Sequence, residues 1–274
     1  MYISVDMGGT KTRIASSEDL CTLLKVKRFY TNKNPVTQKE IISSGIRELT
    51  SEKEPSFVCF GVPGIVDRQT GNFVVVPNYR DVSGKPFTTL LDERFLTNSF
   101  VENDATLGAI GEAVLGAGKD FQRVGYLTFG TGTGGALVIK NGTGPFEYIS
   151  DEPGHIIIVE GGRTSPGCKH AGCFEAYTSG HSFEALFNIK PQNCSDKSVW
   201  AKYAEYVNLG LNKIHATWKC DVFVIGGSMA LEYELFCEFL KAPVPVVRSL
   251  TLDDAGVYGG FVLTKQILSG GQKY

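Results

Sequence analysis

The sequence predicts an α/β protein, because short apolar runs alternate with longer helical segments and glycines gather where the runs end. Glycines in such positions are typical of tight turns, where the backbone comes close to a ligand. In chain order, the strand-like runs are Tyr2–Val5, Thr12–Ala15, Phe57–Val62, Asn72–Val76, Tyr126–Phe129, Ala136–Ile139, Ile156–Val159 and Val222–Ile225. The helix-like segments are Thr37–Leu49, Ala105–Leu115, Phe174–Phe187, Ser198–Trp218, Ala230–Leu240 and Asp254–Leu268.

Composition narrows the class of protein. With 274 residues, 42% of them hydrophobic, the chain can form one large or two medium domains. A formal net charge of −2 gives no electrostatic reason to expect a nucleic acid or an anionic membrane as partner. No apolar stretch has the length of a membrane span, and the N-terminal sequence has no secretion leader. Seven scattered cysteines do not form a disulfide framework, so we expect a cytoplasmic protein.

Two glycine-rich turns resemble each other. Each has the pattern strand, Gly/Thr turn, strand, and together they include Asp6, Gly8, Gly9, Thr10, Lys11, Gly130, Thr131, Gly132 and Thr133. Backbone amides and threonine hydroxyls in such turns bind phosphate oxygens, so a pair of these hairpins facing each other across a cleft would hold a polyphosphate. For either turn alone, an ordinary hairpin is the more common explanation.

The second turn also matches G-x-G-x-x-G, but a dinucleotide fold requires a helix to follow it. Here the next residues, ALVIKNG, predict a strand and a turn instead, and the chain has no P-loop motif. A dinucleotide-binding fold and a P-loop NTPase are therefore both excluded.

Two aspartates are candidates for chemistry. Asp104 follows Asn103 at the end of a strand-like run and at the start of a helix, where it suits a general base for a sugar hydroxyl. The alternative is an Asn-Asp pair that only caps the helix. Asp6 ends the first strand and suits Mg²⁺, bound directly or through water, although an Asx-turn is a common role there.

The ordered motifs resemble the ROK family of sugar kinases, within the actin-like ATPase superfamily. The residues that carry the resemblance span nearly the whole chain: Asp6–Lys11, Gly61–Gly64, Glu102–Ala105, Gly130–Gly135, Glu152–His155, Gly172–Tyr177, Ile225–Ser228 and Ala255–Gly260. Any one of these motifs is weak evidence, whereas the set in this order is strong.

The resemblance implies a two-domain actin-like ATPase (ribonuclease H-like) fold with an interdomain cleft. The first domain would comprise residues 1–102 plus about 255–274, and the second residues 103–254. Asp104 would deprotonate the 6-hydroxyl of a hexose, glucose being favoured, for attack on the γ-phosphoryl of MgATP, and Asn103 would orient the sugar. Gly227, Ser228, Ala255 and Gly256 would lie near the adenosine.

The sugar side has polar candidates. Glu152, His155 and Glu175 flank turns, and their carboxylates can each accept from two adjacent hydroxyls. By resemblance, Gly64 and Asn78 also reach the sugar. For each residue taken singly, a solvated surface role is the more common one.

The resemblance further implies a zinc site, for which the family commonly has one histidine and three cysteines. His155, Cys168 and Cys173 are present here, but Pro166 stands where the first cysteine is expected. His170 or a water would complete the shell. The alternative is a loop without metal that only shapes the sugar pocket.

Other functions are weaker alternatives. An N-acetylmannosamine or N-acetylglucosamine kinase would carry nearly the same motifs. A sugar-responsive regulator would need a DNA-binding segment, for which Tyr2 starts the first strand too early. A non-catalytic scaffold would not need Asp104 with both turns, and a polyphosphate donor would need a basic groove. Phe174–Phe187 carries exposed-looking aromatic residues, and relatives usually pair through the region after the cysteine loop, so the resemblance implies a homodimer. The alternative is that these aromatic residues belong to the core of the monomer.

Overall fold

The computed structural model describes residues 1–77, 79–142, 144–165 and 167–270. The chain forms two compact units, the first comprising Met1–Gly111 and Asp254–Tyr274, and the second Glu112–Asp253. The sequence placed the first boundary after Glu102, whereas the division by contacts keeps Asn103 and Asp104 with the first unit. The predicted domain boundaries stay a prediction.

The first unit is built on a five-stranded sheet in the order β3-β2-β1-β4-β7. Antiparallel pairing joins β1 to β2 and β2 to β3, and parallel pairing joins β1 to β4 and β4 to β7. The strands are β1 (Tyr2–Met7), β2 (Lys11–Ser17), β3 (Lys25–Tyr30), β4 (Phe57–Val62) and β7 (Ser99–Asn103), with a separate pair β5 (Ile65–Asp67) and β6 (Asn72–Val75).

The second unit repeats this arrangement in the order β10-β9-β8-β11-β12. Again two antiparallel pairs form a meander, and β11 lies parallel to both β8 and β12. The strands are β8 (Arg123–Phe129), β9 (Thr133–Ile139), β10 (Glu147–Asp151), β11 (Val222–Gly226) and β12 (Val246–Arg248). The two glycine-rich turns therefore occupy the same topological position, between the first two strands of each sheet.

Seven α-helices belong to the described residues: α1 (Pro35–Thr50), α2 (Asp104–Val114), α3 (Glu175–Thr178), α4 (Gly180–Phe187), α5 (Lys197–Trp218), α6 (Tyr233–Phe236) and α7 (Ala255–Leu268). Local chemistry fixes their ends. The Asn34 side chain accepts from the N–H groups of Val36 and Thr37, and Asp196 accepts from Ser198. Helix α1 ends before Ser51 and helix α5 ends before Lys219, and both residues have left-handed backbone conformations.

Each unit has its own hydrophobic core. In the first, Ile3, Val5 and Phe60 of the sheet pack with residues such as Ile42 and Ile46 of helix α1. In the second, an aromatic cluster lies against the sheet; it includes Phe129, Phe174, Phe183, Trp200, Tyr203 and Phe236. The predicted α/β class is therefore observed in both units.

The aromatic residues of the segment 174–187 belong to this core rather than to an exposed face. Phe174 and Phe183 are both 0% exposed, and Tyr177 is also buried. The predicted homodimer loses this part of its basis and stays a prediction.

Three element predictions were wrong. Ile156–Val159 is not a strand: only Ile157 forms a bridge, to Cys173, because Ile158 N and Val159 N both donate to the Gly172 carbonyl. The segment 174–187 is interrupted at Ser179, whose extended backbone caps helix α4. The segment 230–240 is three short turns, 3-10, α and 3-10, because the backbone at Glu232 and Phe236 leaves helical geometry.

None of the helices in the described part of the chain combines the length and the apolar character needed to cross a bilayer.

Candidate functional site

Asp104 is placed by the parallel strands of the first unit. Strands β1, β4 and β7 run parallel, so their carboxyl ends meet at one sheet edge, the usual location of ligand sites in such sheets. Helix α2 begins with Asp104 directly after β7. A Cβ on Gly8 would lie 3.8 Å from Asp104 Oδ2, so the carboxylate lies beside the first glycine turn. The structure therefore brings together the predicted base and the predicted phosphate loop.

The carboxylate also lies at a helix N-terminus. Asp104 Oδ1 accepts from Ala105 N at 2.9 Å. Gly61 permits this packing, since a Cβ there would meet Leu107 Cδ1 at 2.9 Å and Asp104 Cα at 3.6 Å.

Asn103 ties helix α2 to the loop after β4. Its Oδ1 accepts from Thr106 N at 2.9 Å, which is the capping role considered as an alternative for the Asn-Asp pair. Its Nδ2 donates to the Gly64 carbonyl at 2.9 Å. Gly64 has φ +96°, and a Cβ there would lie 2.0 Å from the Val75 carbonyl oxygen, so only glycine fits. Capping by Asn103 and proton removal by Asp104 are compatible, because different side chains do each.

Hydrogen bonds to its carbonyl oxygens hold the first glycine turn in place. Gly8 N donates to the Lys11 carbonyl at 2.9 Å, Thr31 Oγ1 donates to the Gly8 carbonyl at 2.8 Å, and Lys33 Nζ donates to the Gly9 carbonyl at 3.0 Å. Thr31 N donates to the Thr10 carbonyl. With its carbonyl oxygens bonded in this way, the turn suits an anion nest made of N–H groups.

Behind the turn is a buried polar network that the sequence motifs did not reveal. Thr12 and Thr31 hydroxyls lie 2.9 Å apart, and Gln38 Nε2 donates to Thr12 Oγ1 at 2.9 Å. These residues lie far apart in the sequence, so no local spacing indicates their contact.

Asp6 lies in a buried ion pair. Arg13 Nη1 is 3.2 Å from Asp6 Oδ2, and both side chains are nearly buried. A Cβ on Gly256 would lie 2.5 Å from Asp6 Cγ, so the start of helix α7 packs directly on this carboxylate. A carboxylate is the kind of oxygen donor that fits a water-mediated Mg²⁺.

The second glycine turn lies beside Glu175. A Cβ on Gly132 would lie 2.7 Å from Glu175 Oε2, and Thr133 N donates to that oxygen at 3.0 Å. Gly180 N donates to the Gly130 carbonyl at 2.8 Å, a bond made possible by the helix break at Ser179.

Glu175 connects this turn to the cysteine loop. Its Oε1 accepts from Ser165 Oγ at 2.7 Å and from Cys168 N at 3.2 Å, while Oε2 accepts from Thr133. The residue is only 8% exposed. Sequence reasoning missed Ser165, because nothing in the motif marks it as a partner of a carboxylate ten residues away.

Glu152 precedes a single 3-10 turn, Pro153–His155, of which His155 is the last residue. The turn packs on the second glycine turn, since a Cβ on Gly154 would lie 2.0 Å from the Thr133 carbonyl oxygen. Burial raises the pKa of Glu152 to about 7, and the negative charges of Glu175 and Asp151 add to the increase. Burial lowers the pKa of His155, against the opposing effect of Glu175. The structure thus brings together the three sugar-side candidates of the second unit.

The predicted metal ligands also lie close together. One donor atom each of His155, Cys168 and His170 lies within 4.8 Å of the other two, and Cys173 Sγ is 3.4 Å from Cys168 Sγ. Imidazole nitrogens and thiolates are the donors that structural zinc prefers, so these residues fit the ion. Bound there, zinc would hold the loop through its ligands.

The adenosine candidates divide between the units. Gly227 and Ser228 follow β11 in the second unit, and Gly227 has φ +78° with no room for a Cβ beside Phe129. Ala255 and Gly256 begin helix α7 in the first unit. Asn78 and Pro166 lie outside the described residues.

Known proteins resemble this chain along most of its length. The ROK family profile matches residues 2–267. A glucokinase of Thermotoga maritima is 35% identical over 183 residues, which cover 65% of this chain and 56% of that enzyme. A glucokinase of Streptomyces coelicolor is 32% identical over 274 aligned positions, covering 88% of this chain and 86% of that one. An N-acetyl-D-glucosamine kinase of Mannheimia succiniciproducens is 27% identical, covering 93% and 96%.

A solved structure matches the fold. The ROK family glucokinase of Streptomyces griseus, in complex with glucose and AMPPNP, superposes with a TM-score of 0.79 at 24% identity and covers 97% of this chain and 99% of its own. The predicted fold class, α/β of the actin-like ATPase type, is confirmed. Since the family profile extends over nearly all residues, the chain belongs to the ROK family, as its ordered motifs predicted.

Proposed function

We propose that this protein is an ATP-dependent sugar kinase in which Asp104 is the general base. Asp104 removes the proton of the 6-hydroxyl of a hexose, glucose being favoured, while the hydroxyl oxygen attacks the γ-phosphorus and ADP leaves with the bridging oxygen. The observation that carries this function is the position of Asp104 Oδ2 beside the first glycine turn. Relatives named glucokinase and N-acetyl-D-glucosamine kinase support an enzyme of this class.

Phosphate binding falls to the glycine turns. Their N–H groups and the hydroxyls of Thr10, Thr131 and Thr133 suit phosphate oxygens, and Lys11 adds a positive charge at the first turn. Magnesium bound with ATP would compensate phosphate charge, and Asp6 would hold it through water. Gly227, Ser228, Ala255 and Gly256 would contact the adenosine.

Sugar recognition falls to Asn103, Gly64 and Asn78 with the second-unit cluster. Glu152 supports this role best, because a half-buried carboxyl with a raised pKa suits the hydroxyls of a polyol. Glu175 already accepts three hydrogen bonds from its own chain, so its contribution to the sugar would use remaining lone pairs. Binding of the sugar would position its 6-hydroxyl for Asp104.

The test is a coupled assay of ADP release with MgATP. Asp104→Asn should lower kcat by about 10²–10⁴-fold, because the amide keeps the shape but cannot take the proton. Asp120→Asn, at an exposed position in the same protein, should retain wild-type turnover. Wild-type turnover by Asp104→Asn would rule out this base.

A second candidate is an N-acetylhexosamine kinase, favoured by the N-acetyl-D-glucosamine kinase relative. The same assay with glucose, fructose, N-acetylglucosamine and N-acetylmannosamine separates the two, because kcat/KM should be highest for the true substrate. If none of these sugars supports turnover, a non-catalytic, sugar-responsive regulator would be favoured instead.

We further propose a cytoplasmic location, supported by seven cysteines that are all free thiols.

A further inference from the structure

A chain of hydrogen bonds in the first unit starts at Tyr79, the residue that follows the sugar candidate Asn78 in the sequence. The Tyr79 hydroxyl donates to the Asn32 carbonyl. Asn32 N donates in turn to Gln38 Oε1, on helix α1, at 2.8 Å. The Asn32 backbone is therefore bonded on both sides, by Tyr79 and by Gln38.

The chain continues from helix α1 to the first glycine turn. Gln38 Nε2 donates to Thr12 Oγ1 at 2.9 Å, and the Thr12 and Thr31 hydroxyls lie 2.9 Å apart. Thr31 Oγ1 donates to the Gly8 carbonyl at 2.8 Å. A Cβ on Gly8 would lie 3.8 Å from Asp104 Oδ2. The chain therefore ends in the turn, beside the proposed base.

Only one direction of donation satisfies these bonds. The Thr31 hydroxyl has a single proton, which it gives to the Gly8 carbonyl, so the Thr12 hydroxyl must donate to Thr31. Thr12 then accepts from the Gln38 amide, whose oxygen is left to accept from Asn32 N. Every donor points toward the turn, and in such a series the successive side-chain bonds polarise and strengthen one another.

Burial makes the chain costly to break. Tyr79, Gln38, Thr12 and Thr31 are 3%, 0%, 0% and 7% exposed, respectively. A buried donor or acceptor that loses its partner has lost its hydration without a replacing bond, so the members of the chain are held in one arrangement. Burial also raises the pKa of Tyr79 to about 12, and the phenol therefore keeps its proton for the Asn32 carbonyl at neutral pH.

We propose that Tyr79 and Gln38 are positioning residues, which hold the first glycine turn in its phosphate-binding shape through this chain of hydrogen bonds. The sugar side and the phosphate side of the first unit thereby share one support. The inference rests on the proposed function, in which N–H groups of the turn bind the phosphates of ATP. It predicts that a change at Tyr79, beside the sugar candidate, alters the turn and the binding of MgATP.

Amide hydrogen exchange on the full chain without ligands tests the chain directly. Gly8 N and Thr31 N both make backbone hydrogen bonds within or onto the turn. In Tyr79→Phe, which removes only the hydroxyl, these two amides should exchange at least about fivefold faster than in wild type, the lower end of typical coupling between sites. Because Phe keeps the ring in the core, the variant should fold, and circular dichroism checks this.

Three further variants separate the chain from general loosening. Thr12→Val removes a hydroxyl from the middle of the chain at nearly constant volume and should speed exchange of the same amides, whereas Thr12→Ser keeps the hydroxyl and should preserve wild-type exchange. The double variant Tyr79→Phe/Thr12→Val should exchange no faster than the faster single variant, because both changes break one chain. Tyr206→Phe, on helix α5 of the second unit, is the matched control and should leave the turn unchanged.

Steady-state kinetics give a second readout. At saturating sugar, Tyr79→Phe should raise the KM of MgATP by about fivefold. A hydroxyl that only packed the residues beside the sugar would raise the KM of the sugar and leave the KM of MgATP unchanged. The split between the two KM values therefore distinguishes positioning of the turn from local packing.

Two outcomes would overturn the inference. One is wild-type exchange at Gly8 and Thr31 in the Tyr79→Phe variant, and the other is a double variant whose effects on exchange simply add. A wild-type protein that turns over none of the sugars would contradict the proposed function instead. The exchange measurement needs no turnover and would still decide whether Tyr79 supports the turn.

Discussion

Glu112 offers the sharpest test of how the second unit is held together. It is 0% exposed, and its carboxylate accepts from five donors. Oε1 accepts from Ser249 Oγ at 2.7 Å, from Thr251 N at 2.7 Å and from the Thr251 hydroxyl. Oε2 accepts from Ala117 N at 2.8 Å and from Leu250 N at 3.1 Å. A buried acceptor thus fixes the loop that follows strand β12.

Glu112→Gln keeps the volume but replaces one acceptor oxygen by an NH₂ group. At the Oε2 position, this group would face two backbone N–H donors. At the Oε1 position, it would face only Thr251 N, because the Ser249 and Thr251 hydroxyls can rotate to accept. Even the better choice leaves one buried donor unsatisfied, at about 1–3 kcal/mol, and removes the charge from the remaining bonds. We therefore expect the free energy of unfolding to fall by about 2–4 kcal/mol.

The measurement is urea unfolding followed by tryptophan fluorescence. Trp200 and Trp218 are the only tryptophans of the chain, and both are buried in the second unit, so the signal reports the unit that contains the Glu112 partners. Glu205→Gln is the matched control. Its exposed ion pair with Lys202 should contribute less than about 1 kcal/mol. A loss below about 1 kcal/mol for Glu112→Gln would refute the hydrogen-bond reasoning.

Two further predictions concern the candidate site. The raised pKa of Glu152, about 7 in the folded state, means that folding retains a proton that the unfolded chain releases above pH 4.5. Its stabilising contribution is therefore complete at low pH and is lost as pH rises through 7. Glu152→Gln should gain stability relative to wild type between pH 5 and 8, by on the order of 2–3 kcal/mol, and a pH-independent difference in melting temperature would contradict this. Gly64→Ala should destabilise the first unit by more than about 2 kcal/mol, because its Cβ would lie 2.0 Å from the Val75 carbonyl oxygen. Gly71→Ala, with φ +70° but no atom within 4 Å, is the control in chemical unfolding, and equal losses for both would mean that backbone strain alone decides.

Features that depend on neighbouring residues in the chain, such as turns and motifs, were predicted best from the sequence. The glycine turns at Gly8 and Gly130 are hairpin turns in the structure, since strand, turn and strand follow each other directly. Family membership followed from ordered motifs and is confirmed. Edge strands β3 and β10 were missed, because Lys25–Tyr30 and Glu147–Asp151 are largely exposed and lack an apolar run.

What the sequence left unpredicted depends on tertiary contacts. The break at Ser179 reflects the bond from Gly180 N to the Gly130 carbonyl, fifty residues away in the chain. The Asp6–Arg13 pair and the three partners of Glu175 arise only when strands and loops meet. The sequence therefore names single candidate residues, whereas it does not reveal the neighbours that contact them in the fold.

The repeated strand order has an evolutionary reading. Two copies of one ancestral module would place corresponding positions in both units, and Gly64 and Gly227, with φ +96° and +78°, each follow the fourth strand of their sheet. After the fifth strand, however, one copy continues with Asp104 and the other with Ser249 and Leu250. If the halves descend from a duplicated gene and Asp104 is the base proposed above, only one descendant acquired the catalytic residue, and the matching position of the other was free to change.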